Sequence, residues 1–357
     1  MAENLSTSSS ENKKKNIIKT VLFFVKTTAF ILLLIPLIIF VGGKYSAAST
    51  ENQVNNWNEL RFNEFYSLEK DSVDLFFIGS SHSYCTFDPH IIDDTLGISS
   101  YQIGMPQQHP DCTYYTLLEI LNYQHPKYIV MEVYWDMLDD EFDLEQVKML
   151  FQVMKNEDLK KEFYDNVFPI GEKIKYSEEI FRYQKDYFAY RDSLLDKKAE
   201  EKYSVSKPPK AIQYGTQEYI GKGYTYCDYT MLEDELDKTN QFKGFDAKDW
   251  EPDETQLKYL SLIIKKCKEE NIKLFFVTAP VANVSVDYIE NYNNIHEKIA
   301  SIADADSIPY IDYNYPESRR YLSLTNDNFR DDAHLNHSGI EIVDSDFCNF
   351  LKNHINK

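Results

Sequence analysis

The longest apolar run in the chain lies near its start. From Val21 to Gly43 the only charged residue is Lys26, and Thr27 to Gly43 has none. An apolar helix of that length crosses a bilayer. Five lysines precede the uncharged span and Lys44 alone follows it closely, which predicts an inside N-terminus with the rest of the chain outside the membrane. The expected division is a cytoplasmic tail 1–20, a single-pass transmembrane anchor 21–43, a linker 44–70 and an extracytoplasmic domain 71–357. A cleaved signal peptide is the competing reading, with Ser46-Ala47-Ala48 as its small-residue exit.

Beyond residue 70 short apolar runs alternate with stretches of helical period. VDLFFI (73–78) reads as a buried strand. Asp88-Pro89 then opens a short helix that Gly97 stops. SSYQI is a second strand ending near Gly104. Tyr114, Leu117, Leu118 and Leu121 recur at helical spacing after Pro110. KYIVMEV (127–133) is a third strand, apolar on both faces. After an interruption the rhythm resumes with a helix from Asp253, a strand IKLFFVTA (272–279), a helix over about 286–304, a short strand IPYI (308–311) and a last helix from about Ser338 to Lys352. Strands separated by helices in this way predict an α/β fold, a parallel five-stranded sheet covered on both faces in a flavodoxin-like three-layer sandwich. Ligands in such folds sit at the carboxyl ends of the strands.

The interruption, about 139–250, is highly charged and rich in Tyr and Phe. Helical stretches are expected around 142–165 and 174–200, with a loop at Ser204–Pro209. No strand-rich core is legible there, so the block is expected to be a helical insertion or cap.

Composition narrows the function. The whole chain carries −20. Segment 1–43 has five lysines and two acids, +3, so −23 falls on the rest. Nucleic acid is not an expected partner, because binding it needs a basic footprint. The five cysteines show no CxxC and no metal spacing, so neither a disulfide framework nor a metal site is expected. No Gly-rich phosphate loop follows any strand, and no cofactor is expected.

The candidate chemistry sits in two polar segments. Gly79-Ser80-Ser81-His82-Ser83 lies at the end of the first strand, where a serine hydroxyl faces the crevice beside backbone N–H groups that suit an oxyanion. Serines there also cap helices. A nucleophilic serine needs a base, and NFRDDAHLNHSGIEI (328–342) offers one: Asp331 and His334 stand three apart before the last helix. That spacing lets one segment hold an imidazole at the serine while the Asp sets its tautomer. His337 is a rival base and Asp332 a rival acid.

Together these segments resemble the SGNH/GDSL hydrolase superfamily over 71–138 and 250–357. The resemblance assigns Ser81 as nucleophile, His334 as base and Asp331 as acid. It makes the N–H groups of Ser81 and Gly104, the latter in YQIGMPQQ, the oxyanion donors. The turn reads GSSH rather than GDSL, which, with DDAHLNHSG, is similar to a membrane-anchored branch that includes teichoic acid D-alanine-transfer and alginate O-acetyltransferase-like proteins. What that branch implies is an O-acyltransferase or esterase acting on a cell-surface polysaccharide or related envelope polymer, beside a multi-pass membrane acyltransferase partner. The superfamily's Asn after the third strand is missing: EVYWD stands there. A replacement donor would be a backbone N–H or Gln107. That gap supports the alternative of a catalytically weak or inactive glycan-binding or assembly protein. His82, Gln107, Tyr134 and Trp135 are the candidate substrate contacts, the two aromatics being equally readable as plain core.

Overall fold

In the computed structural model the structure describes residues 3–49, 53–139, 143–176, 213–214 and 217–355. They belong to two units, Met1–Asn52 with Pro169–Ser204 and Gln53–Phe168 with Val205–Lys357. The first holds helix α1 (Glu3–Ser49). Its Lys14–Gly42 stretch of 29 residues holds an 18-residue window with a mean hydropathy of 2.5 and no buried residue. Such a helix is compatible with a single-pass anchor or a signal sequence.

The second unit contains every strand among the described residues. Helix α2 (Gln53–Phe65) opens it, so the stretch 44–70 is more than a linker. Arg61, Phe62 and Phe65 are buried, and the Tyr101 hydroxyl donates to the Arg61 carbonyl at 2.6 Å. The sequence around α2 is polar, with few apolar positions to reveal a packed face.

The main sheet alternates with helices along the chain. Strand β1 (Leu75–Ile78) is followed by helices α3 (Ser81–Tyr84) and α4 (Pro89–Leu96), β2 (Ser100–Gln102), α5 (Pro110–Tyr123) and β3 (Tyr128–Glu132). The insertion carries α6 (Leu144–Val153), α7 (Glu157–Val167) and three strands, β4 (Gln213–Tyr214), β5 (Gln217–Gly221) and β6 (Tyr224–Cys227). Then come α8 (Glu254–Glu269), β7 (Lys273–Thr278), α9 (Tyr292–Ala305), β8 (Tyr310–Asp312) and α10 (His337–Ile355). The order across the sheet is β2-β1-β3-β7-β8, and all four pairings are parallel. The chain turns to one side of β1 for β2 and to the other for β3, which opens a crevice at their carboxyl ends.

Helices cover both faces. Ile92 of α4 and Ile340, Val343 and Phe347 of α10 share one cluster with Leu75, Phe77, Val130, Phe275 and Val277 of the sheet. Phe77 stacks on Phe87 with centroids 5.0 Å apart, and Phe347 closes on Phe87 at 4.7 Å. Each such ring removed from water contributes about 2–3 kcal/mol. Helices α5 and α8 pack together, and α5 rests on β1. Local signals set the ends of α4: Asp88 Oδ1 accepts the His90 N–H at 2.9 Å, Pro89 is the first helical residue, and Gly97 ends it in the left-handed conformation.

The insertion differs from its sequence reading. The helical stretch expected at 142–165 is broken, with Asn156 capping α7 through the Leu159 N–H at 3.0 Å. Strands β4–β5–β6 form an antiparallel sheet where none was expected. The Lys222 carbonyl at the β5–β6 turn accepts the Gln102 N–H at 2.9 Å, so the hairpin leans on the end of β2. Its Tyr-rich strands, YIGKGYTY, lack the Asn-Gly or Asp-Gly turn that marks a hairpin most strongly. Most of the helix expected at 174–200, and the loop Ser204–Pro209, lie outside the described residues. The helix expected at 286–304 divides at Asn291, whose φ is 55°.

Candidate active site

The turn after β1 begins at a glycine for steric reasons. Gly79 has a φ of 128°, and a Cβ there would stand 2.8 Å from the Glu132 carbonyl oxygen at the end of β3. Only glycine takes that conformation with that neighbour. The three serines that follow have separate tasks. Ser80 caps α3: its Oγ accepts the His82 N–H at 3.2 Å and donates to Glu132 Oε2 at 2.8 Å. Ser83 is buried and donates to Gln102 Oε1 at 3.1 Å. Ser81, the first residue of α3, alone meets the other polar segment.

That segment is pinched into a hairpin. Phe329 and Leu335 bridge antiparallel, and the Arg330 N–H donates to the His334 carbonyl at 3.0 Å. Inside the hairpin Asp331 Oδ1 accepts the backbone N–H groups of Ala333 at 2.9 Å and His334 at 2.7 Å. A carboxylate that bonds its own chain two and three residues on folds the loop back, which is why a three-residue spacing brings the imidazole over the acid. His334 Nδ1 lies 2.9 and 3.0 Å from the two Asp331 oxygens. His334 Nε2 lies 2.8 Å from Ser81 Oγ. One imidazole therefore joins a carboxylate to a serine hydroxyl, the geometry that activates a nucleophile.

The electrostatics agree with this arrangement. Burial pushes the Asp331 pKa up, but the His334 charge, its hydrogen bond and the Arg330 guanidinium outweigh burial and hold the carboxyl well below the usual range. Arg330 Nε stands 3.9 Å from Asp331 Oδ2. Under the turn, burial pushes the Glu132 carboxyl up to about 8, although the Ser80 hydrogen bonds oppose it.

The rival residues have other partners. Asp332 accepts from the Gln241 backbone N–H at 2.7 Å and its side chain at 2.8 Å. His337 Nδ1 pairs with the Tyr224 hydroxyl at 3.1 Å, and its ring rests on Tyr226 at 4.6 Å. Of the four candidate substrate contacts, His82 and Tyr134 reach the site. The His82 ring stacks on Tyr134 with centroids 3.8 Å apart and lies 4.6 Å from the His334 ring. Trp135 is core, edge-on to Tyr292 at 5.4 Å and 1% exposed. The two rings touch, with centroids 4.3 Å apart, and Tyr134 carries the contact to His82. Gln107 is exposed at a left-handed turn, φ 52°, and no contact links it to Ser81. Its neighbour Gln108 is the buried one, donating to Thr116 Oγ1 at 2.6 Å.

Gly104 is corrected as an oxyanion donor. It lies beside the turn, where a Cβ would stand 3.0 Å from the Gly79 carbonyl and 3.1 Å from that of Ser80. Its N–H, however, donates to Gln102 Oε1 at 3.0 Å. The residue answers to close packing there, and its donor is engaged. Spacing along the chain carried no sign of this, since the acceptor is a side chain on the preceding strand.

Among the described residues no group of three or more His, Cys, Asp or Glu could hold a metal ion, and the five cysteines are free and buried. No protein-family model matches the chain, and no curated protein matches it. Solved structures are similar to it, among them two from Bacteroides. One is a candidate acylhydrolase of Bacteroides fragilis, 11% identical, covering 86% of this chain and 98% of its own, with a TM-score of 0.38. The other is a GDSL-like lipase of Bacteroides thetaiotaomicron, 10% identical, covering 84% and 99%, with a TM-score of 0.38. Overlap at that level carries no functional argument; the fold stands on its own strand order.

Proposed function

We propose that this chain is a serine acyl-transfer enzyme, an O-acyltransferase or esterase of the cell envelope, acting through Ser81, His334 and Asp331. The observation that carries the reading is the continuous contact from Asp331 through His334 to Ser81 Oγ, 2.8 Å at its last link, at the carboxyl end of β1. In the reaction Ser81 Oγ bonds to the carbonyl carbon of an ester while its proton passes to His334 Nε2. The carbonyl electron pair moves to oxygen, which the Ser81 N–H receives. Collapse breaks the ester C–O bond, and the leaving alcohol takes the proton from His334. A second hydroxyl, of water or of a polymer, then repeats the sequence in reverse. Asp331, ionised because of its surroundings, holds the imidazole in the tautomer that presents Nε2 to the serine.

The substrate in this reading is an ester on a cell-surface polysaccharide or related envelope polymer. The helix α1 is the anchor, its N-terminus inside and the domain 71–357 outside, beside a multi-pass acyltransferase. The motif resemblance and the lysine asymmetry before the apolar helix support these points. A second reading, a glycan-binding or assembly protein without turnover, draws on the Gly104 N–H being engaged and on the missing carboxamide after β3.

The test is mass spectrometry of the full-length chain in detergent after exposure to a fluorophosphonate ester. Labelling confined to Ser81, and lost in Ser81→Ala and His334→Ala, is the expected outcome. An unlabelled but folded wild type moves the reading to glycan binding.

A further inference from the structure

Histidine 82 follows Ser81 directly and plays no part in the triad, yet its side chain is placed among the reacting groups. Its ring is 3% exposed and lies between Tyr134, at 3.8 Å and 24°, and His334, at 4.6 Å and 32°. Nδ1 is buried without a hydrogen-bond partner. Packing gives no account of a histidine there. An unpartnered buried nitrogen costs about 1–3 kcal/mol, and a phenylalanine would stack in the same slot without that penalty. Burial first, then the nearby His334, lowers the His82 pKa well below its ordinary value, so the ring is a neutral imidazole carrying one N–H.

The donors around Ser81 are few. The Gly104 N–H goes to Gln102. The His82 backbone N–H goes to Ser80 Oγ, and that of Met105 to the Gly79 carbonyl and Gln108. The segment after β3 reads Val133-Tyr134-Trp135 and offers no side-chain amide. Of these neighbouring groups the backbone N–H of Ser81 is left as the donor, and losing one oxyanion donor lowers turnover about 10²–10³-fold.

We propose that the imidazole N–H of His82 is the second oxyanion donor, hydrogen-bonding the carbonyl oxygen that becomes negative when Ser81 attacks. This rests on the serine acyl-transfer reading above. The contact transfers no proton: the Ser81 proton goes to His334, and His82 only stabilises the charge developing on oxygen. A neutral donor suits the place, because a charged ring 4.6 Å from His334 would oppose the proton that His334 must accept. Tyr134 holds the ring from its other face.

The experiment measures turnover of p-nitrophenyl acetate and the rate of fluorophosphonate labelling for the full-length chain, with His82→Phe, His82→Gln and Ser81→Ala. Phenylalanine keeps the stack and removes the donor; glutamine keeps a donor. His82→Phe is expected to lose at least about 100-fold in kcat with KM within about threefold, and to unfold no earlier than wild type. His82→Gln is expected to recover at least about tenfold of that loss. An active wild type whose His82→Phe variant keeps kcat within about threefold, or a glutamine variant no better than phenylalanine, overturns this proposal alone. A folded wild type that turns nothing over and leaves Ser81 unlabelled overturns the acyl-transfer reading and this one with it.

Discussion

The turn after β1 and the segment after β3 leave neighbouring strands in register, Ile78 opposite Met131, and they use their residues in opposite ways. The first packs three hydroxyls and an imidazole into five positions. The second supplies one buried acid, Glu132, and two aromatics. Residue type alone suggests that all the chemistry belongs to the first and none to the second. The structure shows a division of labour instead. Ser80 and Ser83 are tied down, by Glu132 and Gln102, so that Ser81 alone faces His334. Tyr134 braces His82 while Trp135 turns into the core. A polar cluster is thus sorted by what packs beneath it, chiefly the buried Glu132 and Gln102.

Three substitutions break or sharpen that contrast. The largest effect is expected from Gly79→Ala, which sets a Cβ 2.8 Å from the Glu132 carbonyl at a φ of 128°. Backbone strain and overlap together are expected to cost about 4 kcal/mol, read as a lower midpoint in denaturant, with fluorophosphonate labelling of Ser81 lost. A variant of wild-type stability would show that the two segments are not locked together.

Glu132→Gln comes next. The unfolded chain ionises this carboxyl near 4.5 and the folded chain near 8. Between those values the folded state holds the extra proton, so wild-type stability falls as pH rises. The glutamine variant copies the neutral form and is expected to be more stable by on the order of 3 kcal/mol at pH 7, with the gain vanishing near pH 4. Equal pH profiles for the two proteins would mean that the acid is not buried as neutral.

The smallest effect is expected from Asp332→Asn. It weakens the bonds to Gln241 and is expected to cost ~1 kcal/mol while Ser81 labelling persists within about threefold. A loss of labelling as deep as that of His334→Ala would make Asp332, and not Asp331, the working acid.

The fold was largely legible because buried parallel strands write themselves as short apolar runs between helical periods. LFFI, YIVME and KLFFVT are such runs, and they form β1, β3 and β7. Helix α2 and the hairpin β5–β6 were not, since Arg61, Tyr101 and Tyr219 bury long polar-tipped side chains whose partners lie on other elements. At the site, the turn and the DxxH loop stood out, and the three-residue spacing already pointed to Asp331 and His334; what no spacing encodes is that Asp332 is held by Gln241 and His337 by Tyr224. Gln102, Glu132 and Arg330 support the site from positions with no periodic or motif signal.

By itself the amino-acid order determined the apolar N-terminal helix, the alternation that makes a parallel sheet, and two polar segments with the residue types of nucleophilic catalysis. Local rules suffice for these, because period, capping and charge act over a few residues. Only the tertiary structure decided that Ser81 meets His334 across 253 residues of chain, that the Gly104 N–H turns to Gln102, and that His82 is buried between two rings. Those outcomes depend on how layers stack, and a side chain's neighbours across a packed crevice are set by every element that closes it.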